Sequence, residues 1–294
     1  MLQPVHLQQI VLLLFLVAAA ISDIRKREVP NWVSYGLILA GLALGLLGSA
    51  VVLDWKPLAF SALGAGAAFA IAALMFYAGQ WGGGDSKLLI GIGAMLGLPF
   101  ALSSPFVSAE SPLAAFLANL VLASFFYAAS MAALLAVKNK RRFAAALKEQ
   151  SRRYSLIRKA GLAAAAAGLL LVLLINDPLL KIGIAAILAL GISCIYLSMA
   201  AKAVESACML KQVSPLKLTE GDWIAKDVII GGKRICGPKD LGIEKKQIRQ
   251  LVSLYRRKRI RSVLIKEGIP FAPSFLIAYL VTVFFGNVFL TAFS

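Results

Sequence analysis

The feature that most limits what this chain can fold into is the spacing of its apolar runs. Eight of them reach or approach the length of a bilayer crossing, near 7–22, 32–53, 58–79, 86–102, 113–136, 160–175, 180–201 and 271–292. A helix rises about 1.5 Å per residue, so roughly 20 apolar residues cross a hydrocarbon core about 30 Å thick. With 60% hydrophobic residues and a mean hydropathy of +0.82, the 294-residue chain is more apolar than a soluble domain. The expected fold class is an all-α polytopic membrane protein of about eight transmembrane helices. The first run lacks the basic flank and cleavage pattern of a signal peptide, so it reads as a retained span. The segment 160–201 is compatible with two spans or with a re-entrant hairpin.

Charge sets the orientation. The formal net charge is +17. When alternate loops are assigned to one side, all of the 31 Lys and Arg residues except Lys56 and Lys181 fall together. The positive-inside rule makes that side cytoplasmic and puts both termini outside. The densest basic run, Tyr255–Arg261, lacks the aromatic or groove-reading context of a nucleic-acid site. Its expected partner is the anionic lipid of the cytoplasmic leaflet, and no nucleic acid is expected. The run 138–159, with Arg141, Arg142, Arg152 and Arg153, reads as an interfacial helix.

One segment differs in composition. Residues 203–268 carry strand-like pieces in 223–230, a Gly231-Gly232 turn signal, and Ile243, Ile248, Leu251, Val252 and Tyr255 at helical spacing. Ser262–Ile265 reads as a last short strand. The expected organisation is a transmembrane catalytic domain over 1–202, a small cytoplasmic α+β insertion over 203–268, and a final helix over 269–294.

Several chemistries are excluded. Cys194, Cys208 and Cys236 form no CxxC pair, and His6 is the only histidine. Zinc hydrolysis, a thiol redox pair and a Ser-His-Asp site lack their residues. No metal and no cofactor is expected.

Two carboxylates remain. Asp23 closes the first apolar run and Asp85 opens the fourth, both at the cytoplasmic level. Ionisable groups at membrane depth are costly and mark functional sites by default. If the two spans pack together, the pair can share a proton, one acting as base on a water and the other as acid to a carbonyl oxygen. The glycines of Trp81-Gly82-Gly83-Gly84-Asp85 are expected to keep the helix from reaching Asp85 and to leave room for a substrate backbone. The same residues also fit a simpler account. Asp85 would be the N-cap of the fourth span, Asp23 a surface partner of Arg25 or Arg27, and the glycines a packing face.

These residues resemble a known family. Gly82-Gly83-Gly84-Asp85 is similar to the GxGD motif of intramembrane aspartyl proteases, and Asp85-Ser86-Lys87 resembles the continuation found in type IV prepilin peptidases. Asp23–Asn31, ending in Val29-Pro30-Asn31, resembles that family's first motif. Ile269-Pro270-Phe271-Ala272-Pro273 resembles its Pro-Phe-x-Pro opening of the last span. The resemblance implies a peptidase that removes the short basic leader from pilin-like precursors at the cytoplasmic face. It makes Asp23 and Asp85 the catalytic pair, supported by Gly82, Gly84, Lys87, Pro30 and Asn31. The loop 23–31 lacks the paired CxxC motifs of the bacterial enzymes, which argues against methyltransferase activity. The insertion at 203–268 resembles the archaeal branch, whose substrates are archaellin (flagellin) and pilin precursors. Arg25, Lys26 and Arg27 read as positive-inside anchors, and Glu28 is the residue that would attract a basic leader. Two rivals differ in class: a presenilin or signal peptide peptidase type of protease, and a transporter using the two aspartates as proton or cation sites.

Overall fold

The computed structural model describes residues 4–99 and 111–293. Its contacts divide the chain into two compact units, Met1–Ala129 with Gly268–Ser294, and Ser130–Glu267.

In the first unit the helices are α1 (Pro4–Lys26), α2 (Asn31–Val52), α3 (Lys56–Tyr77), α4 (Gly83–Leu96) and the start of α5 (Pro112–Lys138). α4 is the most enclosed, with Leu88, Leu89, Ile92 and Met95 all buried. It packs against both α2 and α3. Small residues make that approach possible. A Cβ on Gly91 would lie 2.8 Å from Leu37, and one on Gly41 2.7 Å from Ala94. Gly64 and Gly93 press backbone to backbone, each without space for a side chain. Lipid is as apolar as leucine, so close van der Waals contact of this kind holds membrane helices together.

The second unit holds the rest of α5, then α6 (Lys140–Arg153), α7 (Ser155–Leu173) and α8 (Pro178–Val204). The amphipathic α6 buries no residue fully. Beyond α8 come β1 (Leu210–Val213), β2 (Trp223–Ile224), β3 (Val228–Ile230), β4 (Lys233–Cys236), α9 (Lys245–Arg256) and β5 (Val263–Lys266). β5 lies between β1 and β2, antiparallel to both, with Leu210 opposite Lys266 and Ile224 opposite Ile265. Gly231 and Gly232, at φ 59° and 76°, make the tight turn of the β3–β4 hairpin. Ile224, Cys236, Ile243, Leu251 and Val263 form a separate small core.

The chain returns to the first unit with α10 (Ala272–Phe285) and α11 (Val288–Phe293). α10 packs along α1, and the Tyr279 hydroxyl donates to the Gln9 carbonyl at 2.8 Å.

Among the described residues six helices, α1, α2, α3, α5, α7 and α8, are long and apolar enough to cross a membrane. Both α7 and α8 meet that length, so 160–201 contains two helices of spanning size. The expected fourth and eighth spans are shorter than their sequence ranges. α4 ends at Leu96, where Gly97 turns to φ 68°, and the remainder of 86–102 beyond 99 lies outside the described residues. α10 stops at Gly286, φ 66°, before α11 begins. Asn119 of α5 occupies that break. Its amide donates to the Gly286 carbonyl at 2.6 Å, and its oxygen accepts the Val288 N–H at 3.2 Å. Backbone groups freed at membrane depth need such partners. The strand-like pieces of 223–230 are the strands β2 and β3.

Candidate active site

The site is built where the end of α1 meets the starts of α4 and α10. α1 runs through Asp23 to Lys26, so this carboxylate lies in the last helical turn and not beyond the helix. It is buried, at 6% exposure, and the Ala272 N–H donates to its Oδ2 at 2.8 Å. The Phe271 N–H also points to it. These donors are the unsatisfied amides of the first turn of α10, which carries a partial positive charge. A carboxylate from α1 thus caps α10, a helix whose own N-cap residue, Phe271, has no capping side chain.

Asp85 is half-buried. The N-cap of α4 is Gly82, and α4 begins at Gly83, two residues before Asp85. The expectations that glycines keep the helix short of Asp85, and that Asp85 is itself the cap, are corrected here. Asp85 is the third helical residue, and its carboxylate lies back against the Gly82 backbone. That is the position of the acidic residue in a capping box, where it offsets the poor helix propensity of the glycines. Asp23 and Asp85 lie close enough to interact electrostatically.

The neighbouring motif residues meet across the site. Lys87 Nζ donates to Asn31 Oδ1 at 3.0 Å and lies 5.0 Å from the centroid of the Tyr35 ring. Pro30 is the N-cap of α2, and its carbonyl accepts the Val33 and Ser34 N–H groups. Gly84 faces the α1–α2 loop, where a Cβ would sit 3.2 Å from Val29 Cβ. Its lack of a side chain makes room for Val29. Around Gly82 the nearest such contact is Asp85 Oδ2 at 3.8 Å.

Several contributors carried no signal strong enough to single them out from sequence. Trp81 packs on Phe271 and Phe275, with ring centroids 5.7 and 5.8 Å apart, and so ties the start of α4 to that of α10. Tyr127 of α5 stands within electrostatic reach of Asp23 and Arg27. Ser86 is buried and donates to the Gly82 carbonyl at 3.1 Å. The amides of Phe271 and Ala272 are backbone groups, legible only through the Pro-Phe-x-Pro pattern that contains them. Among the described residues no cluster of three or more His, Cys, Asp or Glu could hold a metal ion.

Residues 10–137 match a family of type IV leader peptidases. A preflagellin peptidase of Methanococcus maripaludis is 35% identical over 81 residues, 28% of this chain and 35% of the relative. A preflagellin peptidase of Methanococcus voltae is 38% identical over 84 residues, 29% of this chain and 36% of the relative. The aligned part is about a third of the length of each of these relatives. The family segment contains both aspartates and ends before the strands begin.

Proposed function

We propose that the protein, whose residues 10–137 match the type IV leader peptidase family, is a member of that family and a multi-pass membrane aspartyl endopeptidase that removes the leader from pilin-like precursors. The archaeal relatives favour archaellin (flagellin) precursors among those substrates. In this reading 1–202 and 269–294 form the transmembrane catalytic part, and 203–268 a cytoplasmic domain.

The observation that carries the reading is that Asp23, buried in the last turn of α1, and Asp85, in the first turn of α4, lie within electrostatic reach of each other in the part of the chain that the family match covers. Two carboxylates at close range hold one proton between them. The ionised one takes a proton from water, and the resulting hydroxide bonds to the scissile carbonyl carbon. The protonated one gives its proton to the carbonyl oxygen, which forms a tetrahedral gem-diol. Collapse of that intermediate breaks the C–N bond as the leaving nitrogen takes the proton that the first carboxylate had accepted from water, while the other carboxylate takes one from a gem-diol hydroxyl to leave the new carboxyl group. The backbone donors on Asp23 hold it in one orientation, and the position of Asp85 in the first turn of α4 does the same for its partner.

The basic loops favour a cytoplasmic active site and outward termini. Their lysines and arginines suit anionic lipid.

The test uses membranes containing this protein and a purified pre-archaellin or prepilin. Leader removal is expected only when the precursor reaches the cytoplasmic face, with the new N-terminus just before the hydrophobic segment. An intact precursor, or cleavage from the opposite face, contradicts the proposal.

A further inference from the structure

Arg27 ends α1 in a conformation that its residue type disfavours. Its φ of 60° is in the left-handed region, where glycine is the usual residue after a helix. Its N–H donates to the Asp23 carbonyl at 2.9 Å. Its guanidinium reaches across to donate to the Gly268 carbonyl. From Gly268 the chain runs to Ala272, whose N–H donates to the Asp23 carboxylate at 2.8 Å. These bonds close a ring from Asp23 through Arg27, Gly268 and Ala272 back to Asp23. Arg25 and Lys26 beside it are equally exposed, yet neither makes a side-chain hydrogen bond or an ion pair among the described residues. A positive-inside anchor needs only charge, and any of the three supplies it. The strained backbone and the specific acceptor at Arg27 need another cause, since strain of this kind persists where the surroundings over-determine it.

Resting on the reading of Asp23 as half of the catalytic pair, we propose that Arg27 is a positioning residue. It ties the Gly268–Ala272 turn to the end of α1, and that turn fixes the direction in which Asp23 presents its carboxylate. A shift of the turn would carry the Ala272 N–H with it and rotate the carboxylate away from its partner.

Arg27→Gly separates this role from a structural one, because glycine relaxes the left-handed backbone while removing the guanidinium. The variant is expected to be at least as thermally stable as the wild type. Hydrogen exchange at the Phe271 and Ala272 amides, followed by mass spectrometry of the 268–275 segment, is expected to be roughly tenfold faster, as loss of about one hydrogen bond implies. kcat for leader removal is expected to fall roughly ten- to a hundredfold with KM little changed, the scale of a small misplacement of a reacting group. Unchanged exchange at 271 and 272 overturns the ring, and faster exchange with unchanged kcat overturns the positioning role. The exchange measurement needs no substrate. If the wild-type protein cleaves no precursor, the functional reading fails while exchange still decides whether Arg27 holds the turn.

Discussion

Asp23 and Ala272, 249 positions apart, are joined by a buried hydrogen bond of 2.8 Å from the Ala272 N–H to the Asp23 carboxylate. One side chain therefore serves two ends: it satisfies the start of α10, and it lies within electrostatic reach of Asp85. Removing the acceptor is expected to cost stability. Asp23→Ala should lower it by about 1 kcal/mol, the usual value of a helix cap, whereas Asp23→Asn keeps an acceptor oxygen and should unfold near the wild-type temperature. Thermal unfolding in detergent checks this, and equal losses in both variants would show that the bond contributes nothing.

Lys87 and Asn31 are expected to be coupled. Their hydrogen bond is solvent-exposed, so a double-mutant cycle with Lys87→Met and Asn31→Ala should give about 0.5–1 kcal/mol. A coupling of zero would mean that the two motif residues act separately.

Two nearby glycines on α3 should respond in opposite ways to alanine. At Gly64 a Cβ would collide with the Gly93 carbonyl, so Gly64→Ala should destabilise by about 1–3 kcal/mol. At Gly66 a Cβ meets nothing within 4 Å, so Gly66→Ala should be neutral, or stabilising by up to about 1 kcal/mol. Comparison of the two melting temperatures tests whether α4 is held by backbone contact with α3.

Cys236 gives the strand-containing unit a pH dependence. It is fully buried, and burial pushes its thiol up to about 11 from an ordinary value of 9.0. Below about pH 9 the thiol keeps its proton in the folded and the unfolded chain alike. Between about 9 and about 11 only the unfolded chain ionises, so stability falls as pH rises through that window. Cys236→Ala should flatten the fall, as read from denaturant midpoints at pH 8, 9 and 10. The same slope in the variant would assign the effect to another group.

Much of this site was legible in the sequence because membrane depth makes charge conspicuous. Asp23 and Asp85 stood out as carboxylates against apolar runs, and the glycines marked the start of a helix. Where that helix begins was not legible. Glycine disfavours helix interiors, but Asp85 is placed in the first turn with its carboxylate against the Gly82 backbone, and α4 starts at Gly83. The donors to Asp23 were hidden for a different reason, since every residue but proline has an N–H and no side chain announces its use. Arg27 looked like an ordinary anchor because its charge is readable and its φ is not. In the strand-containing segment the Gly231-Gly232 turn and the 263–266 strand were readable from turn chemistry and β-branched residues. β1, with Lys211 and Gln212 at its centre, was not.

The central claim is that Asp23 and Asp85 act as a pair. The direct measurement is leader removal from a pre-archaellin or prepilin by Asp23→Asn and Asp85→Asn proteins, each shown to be folded by its unfolding temperature. The account expects each substitution alone to abolish cleavage, because neither carboxylate can carry both proton transfers. Cleavage at the wild-type rate by either folded variant would contradict it.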